Sequence, residues 1–150
     1  MMLVDDLLER LRRVRMLRFQ SRTQSATGWE GAGTGAVSVS EPAAGVVVFR
    51  ESGTWQPSVA DRPAVQFENV FRWSAVETGL RLEHLRFGPD HPVLLFEMAP
   101  AENGMWREVS PHLCRDDCYR ASLAVETEQI VVEWTIMGPQ RREEIRYSYT

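Results

Sequence analysis

Apolar positions repeat with a helical period over the first part of the chain. Between Leu3 and Phe19 they fall three or four residues apart, which places them on one stripe of a helix. The stripe is formed by Val4, Leu7, Leu8, Leu11, Val14 and Leu17. Two aspartates begin the segment and arginines end it, an order that suits the helix dipole. We predict an amphipathic helix over residues 1–19 that covers the core of the domain, with a dimer contact as the alternative.

The period then changes from helical spacing to two, which is typical of strands. The clearest example has Phe67, Asn69, Phe71 and Trp73 on one face, and Arg72 among the residues on the other. Further strands are predicted at Thr34–Ser40, Gly45–Arg50, Leu80–Phe87, Val93–Met98, Tyr119–Glu126, Ile130–Met137 and Arg142–Tyr149, and a loop at Thr54–Ala64. No helices alternate with these strands, which excludes a parallel sheet. The pattern predicts an all-β domain after the helix, an antiparallel barrel of about eight to nine strands.

Length and composition limit the function classes. A chain of 150 residues predicts one domain over residues 1–150, with the barrel at residues 20–150. The formal net charge of -4 argues against nucleic-acid binding, which depends on a concentrated positive field. Since no apolar run approaches the roughly 18 residues of a membrane span, no membrane association is expected. With two acids near the N-terminus and no apolar signal core, we expect a cytoplasmic protein.

The most unusual chemistry is concentrated at residues 110–120. This stretch contains His112, Cys114, Asp117 and Tyr119 within eight positions, beside a second cysteine, Cys118. A histidine titrates near neutral pH, and a nearby carboxylate can fix its tautomer. Such a pair could act as acid and base, with the cysteine and the phenol bounding a ligand.

The same residues resemble a known family. The order His112-x-Cys114-x-x-Asp117-x-Tyr119, then Trp134, then Gly138-Pro139 is similar to the domain-of-unknown-function family 6314. The resemblance covers about residues 17–149, so the helical segment before it looks like an addition. It implies a calycin-like fold, which is a lipocalin-type antiparallel barrel with an internal pocket. It implies no activity.

Four interpretations of the polar stretch remain open. Its side chains could pin loops through buried hydrogen bonds, or His112 and Asp117 could form a binding or acid–base site. A metal site would use His112, Cys114 and Asp117, with His84 or His91 as a further ligand, but this spacing matches no established zinc pattern. Cys114 could also act as a nucleophile beside His112. We expect no metal and no cofactor.

The function predicted from these patterns is the binding of a small, partly apolar molecule inside the barrel. Arginines on the strands, such as Arg72 and Arg146, would face the cavity and suit an anionic or carbonyl ligand. The predicted ligand-binding residues are Arg72, Trp73, His84, His112, Cys114, Asp117, Tyr119, Trp134 and Arg146. One alternative is a cofactor-independent isomerase, cyclase or dehydratase that uses His112 and Asp117. The other is an interaction module with a packed barrel, in which the helix forms a homodimer.

Overall fold

The structure is a computed structural model that describes residues 2–23, 30–59, 61–109, 112–114, 116–139 and 141–150. One helix precedes a series of strands. The elements are α1 (Val4–Arg12), β1 (Met16–Thr23), β2 (Gly31–Ala43), β3 (Val46–Pro57), β4 (Val65–Val76), β5 (Gly79–His84), β6 (Val93–Pro100), β7 (Met105–Glu108), β8 (His112–Cys114), β9 (Asp117–Val125), β10 (Ile130–Gly138) and β11 (Arg141–Tyr149).

The strands form a closed antiparallel barrel, which confirms the predicted fold class. Neighbouring strands follow the order β10-β11-β1-β2-β3-β4-β5-β6-β7-β9-β8, and β9 also pairs with β10, which closes the sheet on itself. The short strands β7 and β8 occupy successive stretches of the same edge of β9. The barrel described here therefore has ten positions around its circumference, one or two more than predicted. Closure leaves no strand edge open along most of the sheet.

The first helix is shorter than the sequence predicted. It ends at Arg12, and residues 16–19, which we assigned to the helix, begin the first strand of the barrel, Met16–Thr23. The error has a simple cause: Leu17 fits the helical stripe and also begins the alternating series Leu17, Phe19, Ser21 that faces inward. Pairing with two neighbouring strands, β2 and β11, decides between the two periods in favour of the strand.

Helix α1 covers one end of the barrel, as its apolar stripe predicted. Leu7, Leu8 and Leu11 are fully buried, and the helix contacts β3 and β4. On its polar side, Arg10 donates a hydrogen bond of 2.6 Å to the backbone carbonyl of Glu126 in the turn between β9 and β10. Burial of three leucines contributes about 2 kcal/mol each relative to leaving them exposed, so the helix is an integral part of the fold.

Strand β3 is longer than predicted. It continues through Trp55 to Pro57, in the segment that we predicted as the start of a loop. This extension pairs with the glycine-rich half of β2, where Gly33 lies opposite Trp55. A Cβ at Gly33 would overlap the ring of Phe19, so glycine lets that ring pack against the backbone.

The strand arginines whose side chains the structure describes lie on the outer face of the barrel wall. The outer face carries cross-strand ion pairs, in which arginine and glutamate lie on adjacent strands. The pairs are Arg72–Glu83 at 2.9 Å, Arg81–Glu97 at 2.9 Å, Arg120–Glu108 at 3.1 Å and Arg146–Glu133 at 3.6 Å. The inner face is dominated by aliphatic and aromatic side chains, which form a single cluster with the leucines of α1.

Among the described helices, none is long and apolar enough to cross a membrane.

Candidate functional site

The inner face of β3 places a carboxyl group among the apolar side chains of the barrel. Alternation along the strand points Val47, Phe49 and Glu51 inward, and Glu51 is only 2% exposed. Burying a carboxyl group costs several kcal/mol unless hydrogen bonds replace its water. Neighbouring strands contribute Val37 and Asn69 directly opposite Glu51, so the ladder itself brings no cation to it.

One oxygen of this carboxyl group has a protein partner. The hydroxyl group of Tyr149 donates a buried hydrogen bond of 2.7 Å to Oε2 of Glu51. The second oxygen, Oε1, is buried and has no hydrogen-bond partner among the residues that the structure describes. A carboxylate can accept about four hydrogen bonds, so half of this group is left without the partners that buried polar atoms ordinarily have.

The surroundings of Glu51 change its acidity. Burial raises the pKa of Glu51 from 4.5 to about 7, although the hydrogen bond from Tyr149 acts in the opposite direction. Burial is also the main cause that raises the pKa of Tyr147 and Tyr149, and the nearby Glu51 carboxylate adds to both shifts. Both phenols therefore stay protonated, while Glu51 changes charge near neutral pH. Groups whose pKa is strongly shifted are concentrated at functional sites.

Aromatic rings adjoin Tyr149, the hydrogen-bond partner of Glu51. The rings of Tyr147 and Tyr149 are stacked with centroids 5.7 Å apart, and Phe49 meets Tyr149 edge-on at 5.3 Å. Phe49 also contacts Trp73 at 5.8 Å. The indole Nε1 of Trp73 is also buried with no hydrogen-bond partner in the described part of the chain, a state it shares with Nε1 of Trp106 and Trp134. An acceptor and a donor that both lack partners thus lie in one aromatic region.

A second aromatic group lies farther from α1 along the barrel. His84 is stacked on Phe71 with ring centroids 4.8 Å apart, and Trp134 meets Phe71 and Phe96 edge-on at 6.3 and 5.7 Å. Burial, with a smaller effect of Arg86, lowers the pKa of His84, so its imidazole is neutral at pH 7. His84 and Trp134 are only partly buried, which makes this the more accessible region of the inner face.

The structure brings some of the predicted site residues together and separates others. Trp73, His84, Tyr119 and Trp134 all lie on the inward-facing rows of the barrel. Arg72 and Arg146 do not face the interior, contrary to our expectation. Arg72 lies on the outer face of β4, as its alternation with Phe71 and Trp73 required, and both arginines are paired there with glutamates.

Within the polar stretch, the described residues His112–Cys114 form β8 and pair with the start of β9. His112 lies opposite Tyr119 and Cys114 opposite Asp117 in the strand register. The side chains of His112 and Cys114 lie outside the described residues, so their predicted roles stay predictions. The Asp117 carboxylate packs against the backbone of Gly138, where any Cβ would overlap it. Among the described side chains, no group of three or more His, Cys, Asp or Glu residues is arranged to hold a metal ion.

Two cavities in the barrel wall adjoin Arg146 and Arg72, the two arginines that we expected inside the barrel. One of about 290 Å³ lies over β1, β10 and β11 and is lined in part by Gln20, Glu133 and Arg146. The other, of about 360 Å³, includes Arg72 and Leu85 in its lining. The lining of the first also includes Trp134 and Ile145 from the inward rows, whereas that of the second includes the outer-face residues Val48 and Val70.

Sequence reasoning missed the residues that now define the candidate site. Glu51, Tyr147 and Tyr149 were absent from the predicted list, although the signal for Glu51 was present. Extending the alternation Val47, Phe49 by one step places a carboxyl group on a buried face, which is rare unless the group is paired or functional. For the tyrosines there was no comparable signal, because their proximity to Glu51 depends on barrel closure.

Comparison with known protein families places the chain in a family. The sequence profile of a family of unknown function, DUF6314, matches residues 14–150, which confirms the resemblance seen in the C-terminal third. The matched range begins after α1, in agreement with the helix as an addition to the family pattern. Neither a curated protein nor a solved structure matches the chain, so the calycin-like relationship stays a prediction.

Proposed function

We propose that this protein, which belongs to the family of unknown function DUF6314, binds a small molecule in the interior of its barrel with Glu51 as the polar anchor. The observation that carries the proposal is the Glu51 carboxyl group, 2% exposed, whose Oε1 has no hydrogen-bond partner among the described residues. A buried polar atom without a hydrogen bond destabilises the folded state. A ligand that donates a hydrogen bond to Oε1 would remove the deficit.

The arrangement of the barrel supports this proposal. Because α1 covers one end, a ligand would enter from the region of His84 and Trp134, where the inner face is partly exposed. Aromatic walls with a few convergent polar groups are characteristic of small-molecule sites. Trp73 supplies a buried indole N–H without a partner in the described chain, so the ligand would also carry an acceptor or present its own ring.

Native mass spectrometry of the protein purified without denaturation tests the proposal. We expect a species heavier than the bare chain by the mass of one small molecule, or formation of that species when the purified protein is incubated with a small-molecule extract of the producing cells. Glu51→Gln should lose most of it. Glu133→Gln is the matched control, because it removes the same charge from an exposed outer-face position and should retain the ligand.

The contrary results are equally specific. A bare mass under both conditions, together with unchanged methyl NMR shifts of Val37 and Val47 in the extract, would rule out an interior ligand. Equal ligand retention by wild type and Glu51→Gln would leave a binding barrel but remove Glu51 as its anchor.

A further inference from the structure

We infer that the ligand class is a small organic amine, bound as its ammonium cation between Glu51 and the aromatic rings around it. This inference rests on the proposed function and adds the charge of the ligand to it. Three features of the described residues support it: the distribution of charge across the barrel wall, the hydrogen-bond state of Glu51, and the rings that face it.

The first feature is that the described inward-facing side chains supply no counter-cation to Glu51. Every strand arginine whose side chain the structure describes points outward, and Arg72, Arg81, Arg120 and Arg146 are each paired with an outer-face glutamate. Among the described side chains that face inward from the strands, none is arginine or lysine. An ionised Glu51 therefore meets no compensating charge among the described side chains of the wall, and a buried unpaired charge is strongly unfavourable. A cationic ligand would provide the missing charge.

The second feature is the kind of hydrogen bond that remains to be made. Tyr149 already donates to Oε2, so Oε1 needs a donor. A protonated primary or secondary amine combines N–H donors with positive charge, and such charge-assisted bonds are about twice as strong as neutral ones. A hydroxyl group offers only the donor. A quaternary ammonium offers only the charge.

The third feature is the aromatic character of the site. Phe49, Trp73, Tyr147 and Tyr149 are linked by ring contacts between 5.3 and 5.8 Å, and this chain of rings includes Tyr149, the hydrogen-bond partner of Glu51. The faces of such rings attract cations, and the attraction is larger where water is excluded. Because the same rings are apolar, they also favour an amine attached to a small hydrocarbon or aromatic group.

The same features argue against the anionic ligand that the sequence suggested. That expectation depended on Arg72 and Arg146 facing the cavity, and both lie on the outer face. A carboxylate or phosphate inside the barrel would meet the negative charge of Glu51 and the electron-rich faces of the rings. Like charges at close range in a water-poor site repel strongly.

The test is a calorimetric titration of the full-length protein at about pH 8, where simple alkylamines stay protonated and Glu51 is mostly ionised. The probes are a series from methylamine to hexylamine with benzylamine, each matched by the alcohol of the same carbon skeleton. We expect the best-fitting amine to bind at least about tenfold more tightly than its alcohol, which is the lower limit for a hydrogen bond to a charged group. Glu51→Gln should abolish this preference, and Glu133→Gln should leave it unchanged.

The outcomes separate this inference from the proposed function. Alcohols that bind wild type as tightly as the amines would overturn the cationic class while leaving an interior binding site intact. The inference also fails if no amine binds although the purified protein retains another molecule in native mass spectrometry. Failure of the amines, the alcohols and the cellular extract together would overturn both.

Discussion

Tyr149 donates its hydroxyl hydrogen to Oε2 of Glu51 over 2.7 Å, and this bond joins two strands that are not neighbours in the sheet. β1 and β2 lie between β11 and β3 along the wall, so the bond crosses the interior of the barrel. It ties residues 98 positions apart in the sequence. The pair therefore links β3 to β11 across the barrel, and it is also the polar centre of the candidate site.

The first prediction concerns how the unfolding free energy depends on the ionisation of Glu51. Burial raises its pKa from 4.5 to about 7, so the folded state binds this proton more tightly than the unfolded chain. The resulting stabilisation is complete below about pH 4.5 and is lost as pH rises towards the folded-state value and past it. Glu51→Gln cannot titrate. Relative to this variant, we expect wild type to lose about 3 kcal/mol of unfolding free energy between about pH 4.5 and pH 8.

Urea unfolding at a series of pH values measures this difference. Comparison of the two proteins cancels the titration of all other carboxylates, and Glu133→Gln should follow the wild-type profile because Glu133 is exposed. Parallel profiles for wild type and Glu51→Gln would mean that Glu51 titrates in the folded protein as it does in the unfolded chain.

The second prediction concerns Tyr149. Tyr149→Phe keeps the ring contacts but removes the donor to Oε2 of Glu51, so neither carboxyl oxygen then has a partner among the described residues. We expect a loss of about 1–3 kcal/mol in unfolding free energy near neutral pH. The pKa of Glu51 should rise further, because the Tyr149 bond holds it down. Tyr147→Phe is the matched control, since it removes a phenol from the same strand and leaves this bond in place.

A cycle of Glu51→Gln, Tyr149→Phe and the double variant isolates the pair. A coupling energy near zero would mean that the two groups stabilise the barrel independently and that the hydrogen bond between them makes no energetic contribution.

The barrel was predictable from the sequence because its alternating segments are long and separated by turn residues. Phe67–Ser74 and Ile130–Met137 lie within β4 and β10. The failures were local. Residues 16–19 of β1 were assigned to the helix because Leu17 satisfies both periods, and pairing partners decide between them only in three dimensions. Strand β8 has three residues, too few to show any period.

The candidate site was less predictable. Trp73 and Trp134 were identified as possible pocket residues, and both face inward. Arg72 was expected inside the barrel because an arginine suits an anionic ligand. The alternation of its own strand places it on the face opposite Phe71 and Trp73, and the structure agrees with the alternation. The Glu51–Tyr149 pair depends on how β3 and β11 meet across the closed barrel, which no local pattern encodes.

The third prediction concerns α1. Leu7→Ala removes a fully buried side chain at the covered end of the barrel and should cost about 2–5 kcal/mol of unfolding free energy. Leu3→Ala is the matched control, because Leu3 lies just before the helix and is 66% exposed, so its loss should cost less than about 0.5 kcal/mol. Chemical denaturation of both variants gives the comparison. Equal, small losses would show that the helix packs only weakly on the barrel in solution.

The most direct test of the central claim follows the Glu51 carboxyl carbon by carbon-13 NMR as pH is varied, with the resonance assigned from its absence in Glu51→Gln. In the free protein it should titrate near pH 7, in accordance with its pKa of about 7. With a saturating amine from the calorimetric series the midpoint should fall by at least about one pH unit, because a bound cation favours the ionised carboxylate. A midpoint that stays unchanged at saturation would contradict binding at Glu51.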